Sequence, residues 1–151
     1  MPEVGRDRGA KVSKRPESNP DDPQTGSRQC TILIVEDNAF NMKFFRDLLQ
    51  FKGYDTLETQ DGWEALDIVR AERPDLVLMD IQLNEISGLE ITEAIKQDDN
   101  LKDIPIIAVT AYAMKDDDKK ILKSGCDTWL CKPISSSELI KTIEGLIPSD
   151  G

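Results

Sequence analysis

The sequence contains no histidine among its 151 residues. This absence excludes Ser-His catalytic triads, the HExxH type of zinc site and the side chain that most often serves as a general base in enzymes. One count therefore removes three common kinds of catalytic site.

Cysteine is scarce and is not spaced for a cross-link or a metal. Cys30, Cys126 and Cys131 form no CxxC pair, so we interpret them as small buried hydrophobic residues in a reducing compartment. No apolar run reaches transmembrane length, and the N-terminus has no signal-peptide core. We therefore expect a cytoplasmic protein.

An excess of positive charge is also missing. Asp and Glu together number 29 against 19 Lys and Arg, which gives a formal net charge of −10. This balance argues against nucleic-acid binding and against a polybasic membrane patch. We expect neither a nucleic-acid partner nor a membrane partner.

Residues 1–29 have few apolar side chains and are rich in proline and glycine. Such a segment cannot bury enough surface to offset the entropy that it would lose on ordering. We predict a disordered N-terminal extension over residues 1–29, one folded domain over residues 30–148 and a short tail over residues 149–151.

The rest of the chain alternates short apolar runs with amphipathic helical patterns. Runs ending at Val35, Asp80 and Thr110 are typical of strands buried on both faces, whereas residues 54–59 alternate as a half-exposed edge strand does. A fifth, short run ends at Cys131. The strand-then-helix repeat predicts an α/β fold, a doubly wound five-stranded parallel sheet with helices on both faces.

Polar side chains stand where these strands end. Glu36 and Asp37 follow the first strand, Asp80 and Thr110 end two others, and Lys132 follows the last. Open α/β sheets bind ligands at this edge. Clustered carboxylates repel one another unless a cation is present, and hard oxygen ligands suit Mg²⁺. Asp80 is thus a candidate nucleophile for phosphoryl transfer, with Lys132 and Thr110 contacting phosphoryl oxygens.

Each of these acids also has a plainer explanation. Asp80 can simply begin a turn, and Glu36 and Asp37 can cap a helix and complement its dipole. Capping needs only one acid, however, and coincidence poorly explains why all the candidate groups fall at strand ends.

Four motifs together resemble the receiver domain of bacterial two-component response regulators, over about residues 31–147. They are Ile34-Val35-Glu36-Asp37-Asn38, Met79-Asp80 with Gly88 downstream, Val109-Thr110-Ala111 and Lys132-Pro133. The resemblance implies the flavodoxin-like topology of that family. It also implies that Asp80 accepts the phosphoryl group, and that Glu36, Asp37, Asp80 and the backbone carbonyl of Gln82 serve a Mg²⁺ ion.

The resemblance further implies how the site signals. Lys132 would contact the phosphoryl group, Thr110 would be the switch hydroxyl, Trp129 would be the switch aromatic, and the Lys132-Pro133 bond would be cis. Two departures from the family pattern are Asn84 in place of a proline and Trp129 in place of tyrosine or phenylalanine.

The implied donor is a phosphohistidine, which must come from a histidine kinase or a histidine phosphotransfer protein in trans because the chain has no histidine. We expect a single-domain response regulator rather than an enzyme, acting on a downstream protein target. The stretches Asp80-Ile81-Gln82-Leu83 and Ile86-Ser87-Gly88-Leu89-Glu90 resemble regulators of bacterial cell division and polarity, which indicates cell-cycle or polarity control.

Two other functions fit parts of the pattern. A Mg²⁺-dependent phosphatase of the haloacid-dehalogenase type also uses a strand-terminal aspartate, but it needs a second acid two residues later, where this chain has Gln82. A flavodoxin-like cofactor binder needs hydrogen-bond donors after the first strand, where Glu36 and Asp37 would repel a phosphate.

Overall fold

The structure, a computed structural model, describes residues 11–13, 30–83, 86–111 and 115–147. Six strands and five helices lie in these ranges. The strands are β1 (Lys11–Ser13), β2 (Thr31–Val35), β3 (Asp55–Thr59), β4 (Leu76–Asp80), β5 (Ile106–Thr110) and β6 (Thr128–Cys131), and the helices are α1 (Ala39–Phe51), α2 (Gly62–Glu72), α3 (Gly88–Gln97), α4 (Lys115–Lys123) and α5 (Ser136–Leu146).

All six strands form one sheet in the order β1-β3-β2-β4-β5-β6. Strands β2 to β6 run parallel, so the predicted five-stranded parallel sheet is confirmed. From β2 the chain first moves outward to β3 and then crosses to β4 on the other side. This reversal of strand order opens a crevice at the carboxyl ends of β2 and β4, where doubly wound folds bind ligands.

Two apolar clusters cover the two faces of the sheet, as the alternation of side chains along each strand requires. Helices α2 and α3 pack on one face through residues such as Val69 and Ile95. Helices α1 and α5 pack on the other face through residues such as Leu49 and Ile143. The predicted helices on both faces are confirmed. Within the described ranges, no helix combines the length and the apolar character needed to cross a membrane.

The edge of the sheet differs from the sequence prediction. Lys11–Ser13, which we assigned to a disordered extension, forms β1 and pairs antiparallel with residues 56–58 of β3. Strand β3 is therefore not a half-exposed edge, and its residues 56–59 are all buried. The buried polar side chains of β3 have polar partners on α1. Arg46 Nη1 lies 3.1 Å from Glu58 Oε1, and Gln50 Nε2 donates to Thr56 Oγ1 over 2.9 Å.

The other predictions for the chain ends concern residues that the structure does not describe. Residues 1–10, 14–29 and 148–151 lie outside the described residues, as does Asn84. The domain boundaries at residues 30 and 148 stay predictions.

Candidate functional site

Strand register brings the predicted groups to one edge of the sheet. Val35, the residue before Glu36, pairs with Met79, the residue before Asp80. Asp80 in turn pairs with Val109, which precedes Thr110. Parallel neighbours lie about 5 Å apart, so polar groups that are separate in the sequence converge at one level of the crevice.

Three carboxylates form a cluster there. One oxygen from each of Glu36, Asp37 and Asp80 lies within 4.8 Å of the other two. Glu36 and Asp80 are buried, with 1% and 2% of their surface exposed, whereas Asp37 is half-buried. Buried acids at this spacing repel one another, and a bound cation usually offsets that repulsion.

Lys132 supplies one positive charge to the cluster. Its Nζ lies 3.3 Å from Asp80 Oδ2 and 3.5 Å from Glu36 Oε1. Its backbone N–H donates to the carbonyl of Thr110 over 2.7 Å, and its bond to Pro133 is cis, as predicted. The lysine is therefore anchored to the end of β5 and directed at the acid that ends β4.

Mg²⁺ fits the donor set of this site. All three clustered groups are carboxylates, which are the hard ligands that Mg²⁺ prefers. Within the described part of the chain, Glu36 Oε1 is one of the buried side-chain oxygens without a hydrogen bond. The charge balance also favours a bound cation, because one lysine does not neutralise three carboxylates.

The carboxyl of Glu36 has a raised pKa, because it is buried and lies beside another carboxylate. Burial raises the pKa of this carboxyl from 4.5 to about 7, and the Asp80 carboxylate adds to the shift through repulsion and a hydrogen bond. The positive charge of Lys132 and the backbone N–H of Asn38 act in the opposite direction without cancelling it. The site thus favours a proton or a cation beside Glu36.

This shift predicts a pH dependence of stability in metal-free buffer. Because the pKa of Glu36 is higher in the folded chain, the folded state binds more protons between pH 4.5 and 7, and the free energy of unfolding falls as the pH rises through that window. We expect Glu36 to contribute a decrease on the order of 3 kcal/mol. Urea melts of Glu36→Gln should lack this decrease, whereas Glu93→Gln, at an exposed position of α3, should retain it.

Gln82 and Gly88 contact Asp80 in ways that the sequence did not reveal. The backbone N–H of Gln82 donates to Asp80 Oδ1 over 2.9 Å, and its side-chain Oε1 accepts from the N–H of Ala111 over 2.9 Å. Gly88 begins α3 directly against the backbone of Asp80: a Cβ atom there would lie 2.3 Å from the Asp80 carbonyl oxygen. Gly88 belongs to one of the sequence motifs, but the spacing of a motif gives no contact distance. The sequence therefore had no signal for the hydrogen bonds of Gln82 or for the close approach of Gly88 to Asp80.

The two predicted switch residues occupy adjacent strands. Thr110 ends β5 and is 1% exposed. Trp129 lies in β6, is half-buried and packs against the apolar cluster on the α2 and α3 face. Register places Trp129 beside Ala108, two residues before Thr110.

Curated proteins similar to this chain are response regulators. The polar-differentiation response regulator DivK of Brucella anthropi is 54% identical over 117 residues, covering 78% of this chain and 95% of that protein. DivK of Brucella ovis is 52% identical over the same length.

Solved structures with this fold are receiver domains as well. The receiver domain of the Pseudomonas aeruginosa sensor histidine kinase PA1611, with a magnesium ion in its active-site cleft, matches with a TM-score of 0.75 at 33% identity, over 81% of this chain and all of that one. Vibrio cholerae chemotaxis protein CheY4 matches with a TM-score of 0.75 at 25% identity, over 80% of this chain and all of that one.

The family model described as the response regulator receiver domain matches residues 32–144. That range includes all the site residues named above. The chain therefore belongs to the response regulator receiver domain family.

Proposed function

We propose that this chain accepts a phosphoryl group on Asp80 from a phosphohistidine of a partner and passes the signal on through protein contacts. The observation that carries this proposal is the pairing of Lys132 Nζ with Asp80 Oδ2 at 3.3 Å, beside two further carboxylates. A nucleophilic carboxylate, a fixed cation and a set of oxygen ligands are the parts that phosphoryl transfer requires.

In the proposed step, a carboxylate oxygen of Asp80 forms a bond to phosphorus while the bond from phosphorus to the histidine nitrogen breaks. The nitrogen keeps the electron pair of that bond. Lys132 stabilises the charge on the phosphoryl oxygens and needs no proton transfer to do so. The buried position of Asp80 limits competition from water.

Mg²⁺ would be held by Asp37 and Asp80, together with Glu36 and the backbone carbonyl of Gln82. When bound, it would neutralise negative charge on the carboxylates and on the incoming phosphoryl group. The oxygen-only donor set and the uncompensated charge of the cluster support this assignment.

A phosphatase of the haloacid-dehalogenase type finds no support here. The position for its second acid holds Gln82, whose side chain bonds the backbone of Ala111. We propose a phosphorylated signalling module rather than a turnover catalyst.

Incubation with Mg²⁺ and acetyl phosphate, followed by intact-mass measurement over time, tests the proposal. We expect one phosphoryl adduct that decays slowly and does not form without Mg²⁺. Rapid multiple turnover without a lasting adduct would support the phosphatase instead, and no adduct and no turnover would reject both.

Asp37 and Asn38 provide a matched pair for testing the metal site. We expect Asp37→Ala to lower Mg²⁺ affinity by at least about tenfold, the lower end of the effect of losing even an outer-sphere group. The Asn38 side chain caps α1 by accepting the Asn41 N–H over 3.0 Å, so Asn38→Ala should cost about 1 kcal/mol of stability and leave Mg²⁺ affinity unchanged. Calorimetric titration of both variants checks this, and equal affinities would remove Asp37 from the metal site.

We also propose that Thr110 and Trp129 form the switch. A phosphoryl group on Asp80 would accept a hydrogen bond from the Thr110 hydroxyl, drawing the end of β5 toward the crevice and changing the space beside Trp129. A coupling of about 1–3 kcal/mol suffices to change partner affinity from several-fold to a hundredfold.

Fluorescence of Trp129 tests the switch in a Trp63→Phe background, which removes the other indole, 57% exposed on α2. Beryllofluoride with Mg²⁺ mimics the phosphoryl group. We expect a change in emission that disappears when Thr110→Ala is added, with beryllofluoride still bound. Unchanged Trp129 emission on binding would remove the aromatic from the switch.

The similarity to DivK proteins supports a role in cell-cycle or polarity control in the cytoplasm. The proposed partners are a histidine kinase or histidine phosphotransfer protein as donor and a protein as downstream target.

A further inference from the structure

The end of β5 is joined to the segment after β4 by a side chain, that of Gln82. The interstrand hydrogen bonds of β5 end where the Lys132 N–H donates to the Thr110 carbonyl. The next backbone donor, the N–H of Ala111, bonds to Oε1 of Gln82 over 2.9 Å. This contact joins residues 29 positions apart in the sequence.

The same residue is tied to the phosphoacceptor through its main chain. The Gln82 N–H donates to Asp80 Oδ1 over 2.9 Å, and Lys132 Nζ contacts the other carboxylate oxygen, Oδ2. Gln82 therefore touches the reacting group with its backbone and Ala111 with its side chain. The Ala111 bond is exposed and involves a side chain, so it is weaker than an interstrand bond and breaks more easily.

Phosphorylation of Asp80 must disturb this arrangement. An acyl phosphate turns one carboxylate oxygen into the bridging oxygen of an anhydride, which is a poor hydrogen-bond acceptor. Either Gln82 or Lys132 then loses its present acceptor, and the new phosphoryl oxygens offer strong acceptors in the same place. A shift of Gln82 toward them pulls its side chain away from Ala111.

We propose that Gln82 is a latch that holds the N–H of Ala111, at the end of β5, in its resting bond and releases it when Asp80 is phosphorylated. This rests on the proposed function, and it adds to that function a coupling route that does not use the Thr110 hydroxyl. The released Ala111 N–H becomes a donor for the phosphoryl group, so the resting bond and the phosphorylated state compete for one N–H.

The variant that isolates the latch is Gln82→Met, which keeps the length of the side chain and removes the acceptor oxygen. Amide hydrogen exchange of the full chain, measured by NMR in metal-free buffer, should be about 2- to 10-fold faster at Ala111 in this variant, the range expected for one such bond. Two control amides should not change: Ile81, which donates to the Val109 carbonyl, and Asn41, which donates to the Asn38 side chain.

The second measurement is beryllofluoride affinity at saturating Mg²⁺. It should rise about 2- to 10-fold in Gln82→Met, because the variant no longer breaks a bond to release the Ala111 N–H. In the wild-type chain, beryllofluoride should change the Ala111 amide resonance.

Three outcomes overturn the proposal. Equal Ala111 exchange in both proteins means that the bond does not hold the Ala111 N–H. Faster exchange with unchanged or lower beryllofluoride affinity means that the bond exists but is not coupled to phosphorylation. If the wild-type chain binds no beryllofluoride, the proposed function fails, and phosphorylation cannot release the latch. A difference in exchange would then show only that the bond between Gln82 and Ala111 is present.

Discussion

Replacing Asp80 by asparagine should abolish phosphorylation without unfolding the protein. The amide has nearly the shape of the carboxylate and keeps an oxygen that can accept the Gln82 N–H, but it is not a nucleophile toward phosphorus. Intact-mass spectra with acetyl phosphate and Mg²⁺ should show no adduct above background. A thermal melt should remain cooperative, because the change removes one of three repelling carboxylates.

Asp67→Asn is the matched control for this experiment. Asp67 lies on α2 with 81% of its side chain exposed, and its contact with Arg70 is 4.0 Å long. This variant should form the adduct at the wild-type rate. Adduct formation at that rate in Asp80→Asn would show that another side chain accepts the phosphoryl group.

The second large effect is expected from Gly88→Ala. The added Cβ would lie 2.3 Å from the Asp80 carbonyl oxygen and 2.7 Å from Ile81 Cα. These are backbone atoms, so the clash is relieved only by moving α3 or displacing Asp80. We expect a loss of about 3 kcal/mol of stability, at the upper end of typical overpacking costs. Adduct formation should be at least about tenfold slower, because misplacement of a reacting group by about 1 Å has effects of this size or larger.

Two other glycines make this prediction specific. A Cβ on Gly62 would also be crowded, at 2.7 Å from Ile86 Cγ2, but that atom belongs to a side chain that can turn away, so Gly62→Ala should cost less. Gly145 in α5 has nothing within 4 Å, and alanine there should be neutral or add up to about 1 kcal/mol of helix stability. Similar losses in Gly62→Ala and Gly88→Ala, by urea melt and adduct rate, would contradict the role assigned to the Asp80 backbone.

Much of the fold was predictable because its signals are local. Apolar runs that end on Val35, Asp80 and Thr110 specify strands buried on both faces, and the caps Asn38 and Ser135 stand where α1 and α5 begin. The site could then be predicted from the polar groups at the strand ends, because doubly wound sheets bind ligands at the carboxyl ends of their strands.

The prediction failed at β1 because nothing in its own sequence favours a strand. Lys11–Ser13 is three residues long and has one apolar side chain. It pairs with the edge of β3, which lies 43 to 47 residues later in the register pairs Ser13–Thr56 and Lys11–Glu58. A pairing of that kind depends on where the neighbouring strand lies, which no window of sequence contains.

The sequence by itself determined which residues this protein has for its chemistry: carboxylates, one lysine and one hydroxyl at strand ends, and no histidine. Only the tertiary structure decided how these groups affect one another. Register set the carboxylates within 4.8 Å, and that crowding together with burial raised the pKa of Glu36. It also brought Gln82 to Ala111 and Gly88 to the backbone of Asp80. The physical reason is that charge repulsion, desolvation and steric exclusion depend on distances through space, whereas the sequence fixes only distances along the chain.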